Sequence, residues 1–465
     1  MKREHILPRI VSRCRPFVPG LLLAAVSCTA AQAVAQTAST AVSGQDGAVP
    51  VKITLDEAIR RAEASEPTYA AAQAESRSAA LDRSIARAGM LPTARVFSQA
   101  FYTQPGGQPE EAGQGAGSRP LPRFIASNAV REYIGQVNID ETFGLDRVAV
   151  ARRADAASAV AAAGLEIARR GLVAAVTGFY YGVAAADRKQ AIAERAKAES
   201  DDFVRLTIER EQAREAAHAD VVKARLLLQQ RDRELADARL IAEKARLELG
   251  VLLFPDPHTP YELAISGQIA PLASRAEVNQ AAARNNPDLK GALANLQISN
   301  ADVLAARAGY LPSIGLNVTY GIDASQAAFN GPDDAHNLGY SAAASLNIPV
   351  WDWLSTQHRV RQSQIRREAA QVALSATQRR LIARLDEAYS EAETARSQLV
   401  SLDQSVATAA ESLRLTRLRY TGGDATVLEV VDAESASVLA ENAREDGRLR
   451  YRMALASLQT LTGTM

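Results

Sequence analysis

The chain has almost no cysteine, no charge imbalance and no long apolar run in its body, and each absence removes a class of function. Its only cysteines, Cys14 and Cys28, lie in the first 30 of 465 residues. Lys+Arg and Asp+Glu both number 53, so nothing in the balance attracts nucleic acid. No later stretch holds the roughly 20 apolar residues of a membrane-spanning helix. If the chain crosses lipid, it must do so with strands. The five histidines (His5, His218, His258, His336, His358) are scattered without metal-ligand spacing. No phosphate-cradling glycine loop and no helical His-Glu-x-x-His pair occurs, so no cofactor or metal is implied and no catalytic residue is readable. The chain does not read as an enzyme.

Residues 1–35 have a basic start (Lys2, Arg3, Arg9, Arg13, Arg15), an apolar core from Phe17 to Val26, and Ala33-Val34-Ala35. They read as a secretory signal cleaved after Ala35. The mature form would then hold no thiol, hence no disulfide or thiolate metal site. Ala25-Val26-Ser27-Cys28 is a loose lipobox, which would instead leave Cys28 as an acylated N-terminus; Ala25 where Leu is usual favours peptidase cleavage. Residues 36–51 are small and polar and read as a flexible lead.

What is abundant is internal repetition. Thr54-Leu55-Asp56-Glu57 is answered 220 residues later by Ser274-Arg275-Ala276-Glu277, and Pro67 by Pro287. Ala88-Gly89-Met90-Leu91-Pro92 is answered by Ala308-Gly309-Tyr310-Leu311-Pro312. Gly and Pro are scarce enough that these coincidences point to one unit built twice. Repeat 1 takes residues 52–254, a Pro-rich linker 255–271 and repeat 2 residues 272–463. Each repeat opens on an S/T-x-x-E capping box. Pro67 and Pro287 then interrupt or restart the helix, and each helix stops at a Gly-x-Leu-Pro.

After the second stop, Ile314, Leu316, Val318, Tyr320 and Ile322 alternate with Ser313, Gly315, Asn317, Thr319 and Gly321. Leu338 to Ile348 alternates likewise beyond the Gly/Pro/Asp-rich stretch Asp323 to Asn337. The first half has a less regular version, 94–103 and 132–141, around a Gly/Pro loop over 104–123. Strand pairs are thus expected within 94–141 and 313–348, each strand having roughly the 9–11 residues that span a bilayer at a tilt. The alternative for any one of them is an amphipathic strand of a soluble sandwich.

Helix dominates the rest. From about Leu145 to Gln212 there is no proline, and the composition is Ala, Arg, Glu and Leu. At 1.5 Å per residue this run reaches about 100 Å. A second run, about Asp352 to Tyr420, matches it. Each is followed by a shorter helix, about Ala217 to Leu253 and Val427 to Leu461, that folds back antiparallel. A short strand is expected at Tyr261 to Ile265 in the linker.

The turn between the second long and short helices reads Arg419-Tyr420-Thr421-Gly422-Gly423-Asp424-Ala425-Thr426-Val427-Leu428-Glu429-Val430-Val431-Asp432-Ala433-Glu434. With the duplication, the Gly-x-Leu-Pro stops and the strand pairs, it resembles the TolC-like outer-membrane efflux and secretion channel family over nearly all of the mature chain. The first half has a degraded copy at an offset of 209, with Arg210 for Arg419, Arg214 for Gly423, Asp220 for Glu429 and Val221-Val222 for Val430-Val431. Glycine at this turn supplies a positive φ. Arg214 departs from that, so the resemblance does not carry the shape of this adaptor-contacting tip over to the first half.

The resemblance implies a mainly α fold with membrane β: a homotrimer in which each protomer gives four strands to a 12-stranded barrel in outer-membrane lipid. Its helices form a long coiled-coil tunnel into the periplasm. The implied function is an exit duct of an efflux or type I secretion system, served by a periplasmic adaptor and an inner-membrane pump. It further implies that Gly422, Gly423, Thr426 and Arg214 lie at hairpin tips the adaptor contacts. Carboxylates at Glu429 and Asp432, spaced i, i+3 on one helix face, would ring the periplasmic entrance, where mutual repulsion would push some of their pKa values up. Tyr420 would hydrogen-bond an acidic residue of the neighbouring hairpin, here Asp220. The family's common basic gate residue falls on Ala425, so that salt-bridge latch is not carried over. The alternative function is a periplasmic adaptor or structural coiled-coil protein, which would show one hairpin flanked by small β modules rather than two.

Overall fold

A computed structural model describes residues 51–102, 131–265, 270–324, 326–330 and 336–463. The signal segment, Cys28 and the 104–123 loop lie outside the described residues. The described chain is mainly helical, and its elements run β1 (Val51–Ile53), α1 (Leu55–Ser65), α2 (Pro67–Ala88), β2 (Thr93–Tyr102), β3 (Arg131–Phe143), α3 (Leu145–Gln212) and α4 (His218–Leu253). They continue with β4 (Tyr261–Leu263), α5 (Arg275–Asn285), α6 (Pro287–Ala308), β5 (Ser313–Ala324), β6 (Leu338–Asn347), α7 (Ser355–Gly422) and α8 (Val427–Thr462). The lengths 11, 22, 68 and 36 residues occur for α1 to α4 and recur in that order for α5 to α8.

Local chemistry sets the boundaries. Pro67 and Pro287 each sit in the first turn of a new helix, where a missing N–H costs nothing. Ser274 and Glu277 close a reciprocal capping box. The equivalent box at Thr54 is only half made. Thr54 Oγ1 accepts from the Glu57 N–H at 3.3 Å, but the Glu57 carboxylate turns to Arg60 and Arg61, at 2.6 and 2.7 Å. Val51, assigned above to the lead, instead opens β1, which pairs in parallel with β4 in the linker. Ile53 is fully buried there. The Tyr180 hydroxyl, from the middle of α3, donates to Ala264 O at 2.8 Å and also lies 3.2 Å from Ile53 O.

The larger sheet has the antiparallel order β2-β3-β5-β6, with β2 and β6 as open edges. Its register puts Ile314 opposite Leu346, Val318 opposite Ala342 and Tyr320 opposite Tyr340, and on the other side of β5 sets Val318 against Ile139. One face is therefore largely apolar and is exposed at Val318, Tyr320 and Tyr340. The opposite face carries a polar chain in which Asn317 donates to Asp140 at 2.7 Å, Arg95 bridges Asp140 at 3.3 Å, and Thr319 donates to Asn138 at 2.8 Å. Trp351 and Trp353, both exposed with ring centroids 5.7 Å apart, follow the end of β6 where the chain enters α7.

The two 68-residue helices are buried very differently. Twenty residues of α3 are buried, against seven of α7. The reason is topological. Helix α3 packs against α2 and α4 of its own half and against α6 and α8 of the other, whereas α7 packs mainly against α6 and α8. The two halves are joined at α3 by a buried guanidinium. Arg170 donates to Thr460 O of α8 at 2.9 Å and to Asn285 O of α5 at 3.1 Å, and pairs with Glu166 at 2.7 Å. It thus satisfies carbonyls that two helix ends leave over.

Candidate functional site at the hairpin tips

Both long hairpins turn with the same backbone. At the second tip Gly423 has φ 88°, and the Asp424 N–H reaches back to Arg419 O at 2.9 Å. At the first, Arg214 has φ 61°, and the Glu215 N–H reaches Arg210 O at 2.8 Å. The pairs 419/424 and 210/215 keep the 209-residue offset, so Arg214 makes the left-handed turn that glycine makes in the second half. The shape survives the substitution, at a cost of about 1–2 kcal/mol.

Thr426 and Glu429 start α8 with a full capping box. Glu429 N–H donates to Thr426 Oγ1 at 3.3 Å, and the Thr426 N–H to Glu429 Oε1 at 3.1 Å. Arg419 adds an ion pair to the same carboxylate at 3.2 Å. The Thr426 hydrogen bonds first, then Arg419, hold the Glu429 carboxyl below its ordinary pKa. This is the shift within one chain; the repulsion expected above acts between the carboxylates of neighbouring protomers. Asp432 is exposed one turn further along. Asp220 accepts from the Ala217 N–H at 3.4 Å at the start of α4, the position Glu429 holds in α8.

Tyr420 does not reach Asp220 within the chain. Its ring is buried beside Phe203, with centroids 5.3 Å apart, and the Arg210 guanidinium lies 4.8 Å over it. Its hydroxyl donates to Thr207 Oγ1 at 3.4 Å, and Arg210 donates to its carbonyl. Asp220 is occupied as a cap, while the phenol is drawn into the apolar cluster of Phe203, Val204, Ala224, Val427 and Val430. This cluster is where the two hairpins meet. Gly422, Gly423 and Thr426 are all exposed at its rim.

Above the tip lies a buried polar seam that the sequence reading missed. Glu434 is 3% exposed; it accepts from Arg417 at 2.7 Å and from Ser200 at 3.3 Å, and Arg417 also reaches Glu199 at 3.1 Å. Further along α3 and α8, Arg188 meets Glu445 at 2.9 Å, Lys189 meets Asp446 at 2.5 Å, and Arg195 pairs with Glu441. Burial alone would raise the Glu445 pKa, but Arg188, Arg448 and Arg444 outweigh it and the net shift is downward. A signal for Glu434 was available. It stands in phase with Val427 and Val430 on the buried face of α8, where a lone carboxylate is not tolerated. Among the described residues no cluster of His, Cys, Asp and Glu could hold a metal ion, and no helix is long and apolar enough to cross a membrane.

Residues 278–464 match the protein family described as outer membrane efflux protein. Over 172 residues the chain is 28% identical to the outer membrane protein OprJ of Pseudomonas aeruginosa, covering 37% of this chain and 36% of that one. Over 161 residues it is 32% identical to the protein CyaE of Bordetella pertussis, covering 33% and 32%. The chain thus spans about a third of the length of these curated relatives. The fold is similar along far more of its length to the outer membrane protein VceC of Vibrio cholerae. That match has a TM-score of 0.72 at 17% identity and covers 88% of this chain and 96% of that one.

Proposed function

We propose, from the match of residues 278–464 to the outer membrane efflux protein family, that this chain is one protomer of a passive trans-envelope duct, seated in the outer membrane and reaching into the periplasm. The observation that carries the reading is the β2-β3-β5-β6 sheet. Its apolar residues are exposed on one face, its polar residues hydrogen-bond on the other face, and both edges are open. Open edges are not tolerated in hydrocarbon, and four strands cannot close alone. Three copies supply twelve, an even number within the range of such barrels. The duplicated order of helix lengths and the thinly covered α7 favour the same arrangement, with the next protomer lying where the other half of the chain lies on α3.

The Trp351–Trp353 pair then marks the periplasmic edge of an aromatic girdle. Helices about 100 Å long extend the duct away from the membrane, and the hairpin tips are its far end. There Asp432, and Glu429 in part, line an acidic entrance. The tips at Gly422, Gly423, Thr426 and Arg214 are the surface offered to a periplasmic adaptor, itself coupled to an inner-membrane pump that supplies the energy. No phosphate-cradling glycine loop is readable in the sequence, so the energy is assigned to that pump. An adaptor reading leaves the exposed apolar face unexplained.

The test is migration on a gel of outer-membrane fractions with and without boiling. A detergent-resistant species of three chains that collapses on heating is expected. A soluble periplasmic monomer would remove the duct.

A further inference from the structure

Between α3, α6 and α7, below the sheet, lies an open groove of about 510 Å3 lined by three arginines, the exposed Arg152 and Arg307 and the half-buried Arg367. None of the three pairs with a carboxylate among the described residues, and the Arg367 Nε is buried without a hydrogen-bond partner. The single acid in the lining, Asp155, is already held by Arg83 and Arg87, each at 2.9 Å. The amides of Gln297 and Asn300 complete the polar wall. Guanidiniums lining one groove with no carboxylate of their own favour an anion between them, and their forked donors match phosphate and carboxylate oxygens.

The internal repeat accounts for only part of the cluster, since Arg87 stands 220 residues before Arg307 but is paired with Asp155. At the equivalent positions of α7, 210 residues on from Arg152 and Asp155, stand Gln362 and Ile365. Arg152 thus has no counterpart at the equivalent seam.

We propose that this groove binds an oxyanion of phosphate-ester chemistry, held by Arg152, Arg307 and Arg367. Its height fits a headgroup. Arg307 is in the last turn of α6 beneath the strands, and Arg152 lies seven residues into α3, about 10 Å down the helix. An anionic phospholipid of the inner leaflet would present its phosphodiester there, and free phosphate is the other source of the same chemistry. The lipid source rests on the membrane reading above; the oxyanion site does not.

The test uses the full-length protein in detergent, with native mass spectrometry for phosphatidylglycerol and phosphatidylcholine and titration calorimetry for inorganic phosphate. Phosphatidylglycerol should be retained in preference to phosphatidylcholine, and Arg152→Gln/Arg307→Gln/Arg367→Gln should lower its occupancy about tenfold or more. Phosphate binding abolished by the same substitutions would assign the site to the free anion and also support it. Arg367→Gln alone, read in the same way, covers the case in which the triple variant fails to fold. Equal retention of the two lipids together with no phosphate binding overturns the proposal, as does binding that the substitutions leave unchanged. Chain stoichiometry, read separately on the gel, shows whether the duct itself has failed.

Discussion

Arg417 and Glu434 lie 2.7 Å apart across the α7–α8 hairpin, and Ser200 of α3 closes on the same carboxylate from the other hairpin at 3.3 Å. One buried anion therefore joins both hairpins just above their tips. Removing it strands Ser200 and leaves Arg417 Nη2 with Glu199 alone. Because Arg417 keeps some solvent access, Glu434→Ala should cost about 2 kcal/mol rather than the full penalty of a sealed pair. Glu434→Gln should cost less. Denaturant midpoints of the two variants against the parent decide it.

Tyr420 separates packing from hydrogen bonding. Thr207 Oγ1 already donates to Phe203 O at 2.8 Å, so loss of the phenol leaves it satisfied. Tyr420→Phe should change stability by less than about 1 kcal/mol and leave the resting conductance unaltered. Tyr420→Ala should cost about 3 kcal/mol, since the ring is buried under Arg210 and beside Phe203. A conductance change in the Phe variant would restore a latch that works through the hydroxyl.

Arg214 holds a left-handed φ that glycine adopts freely. Arg214→Gly should raise the thermal midpoint, by relief of about 1 kcal/mol. A fall would mean that the arginine side chain itself anchors the first tip.

The acid limb of stability should depend on Glu445. Its folded pKa is depressed, so its contribution is present above the unfolded carboxylate value of about 4.3 and is lost as pH falls through the lower folded value. The difference in Tm between the parent and Glu445→Gln should therefore be full at neutral pH and shrink below about pH 4. A difference constant with pH would rule out this account of Glu445.

Asp432 offers the cleaner test of the entrance, because Glu429 also caps α8. Asp432→Asn should weaken cation selectivity in single-channel recordings while leaving stability unaltered. Unchanged selectivity would take Asp432 out of the gate.

Much of this architecture was legible because it is local. The proline-free run placed α3 within a residue or two of its ends, and period-two polarity gave the phase of β5 and β6. The pairing of Arg170 with Thr460 and of Tyr420 with Thr207 was not legible, since the partners lie 290 and 213 residues apart and neither periodicity nor spacing links them. Glu57 shows the limit from the other side. Its capping motif was read correctly at Thr54, but two neighbouring arginines outbid the backbone for the carboxylate. Val51 was misplaced because a three-residue strand joined in parallel to a distant linker has no sequence pattern of its own.

The unequal wrapping of α3 and α7 has a consequence for biogenesis. In the proposed trimer a lone copy would carry one flank as a finished surface and the other as an unfinished one, so the last stage of its maturation would be association. Dilution would then act on that arrangement like a denaturant.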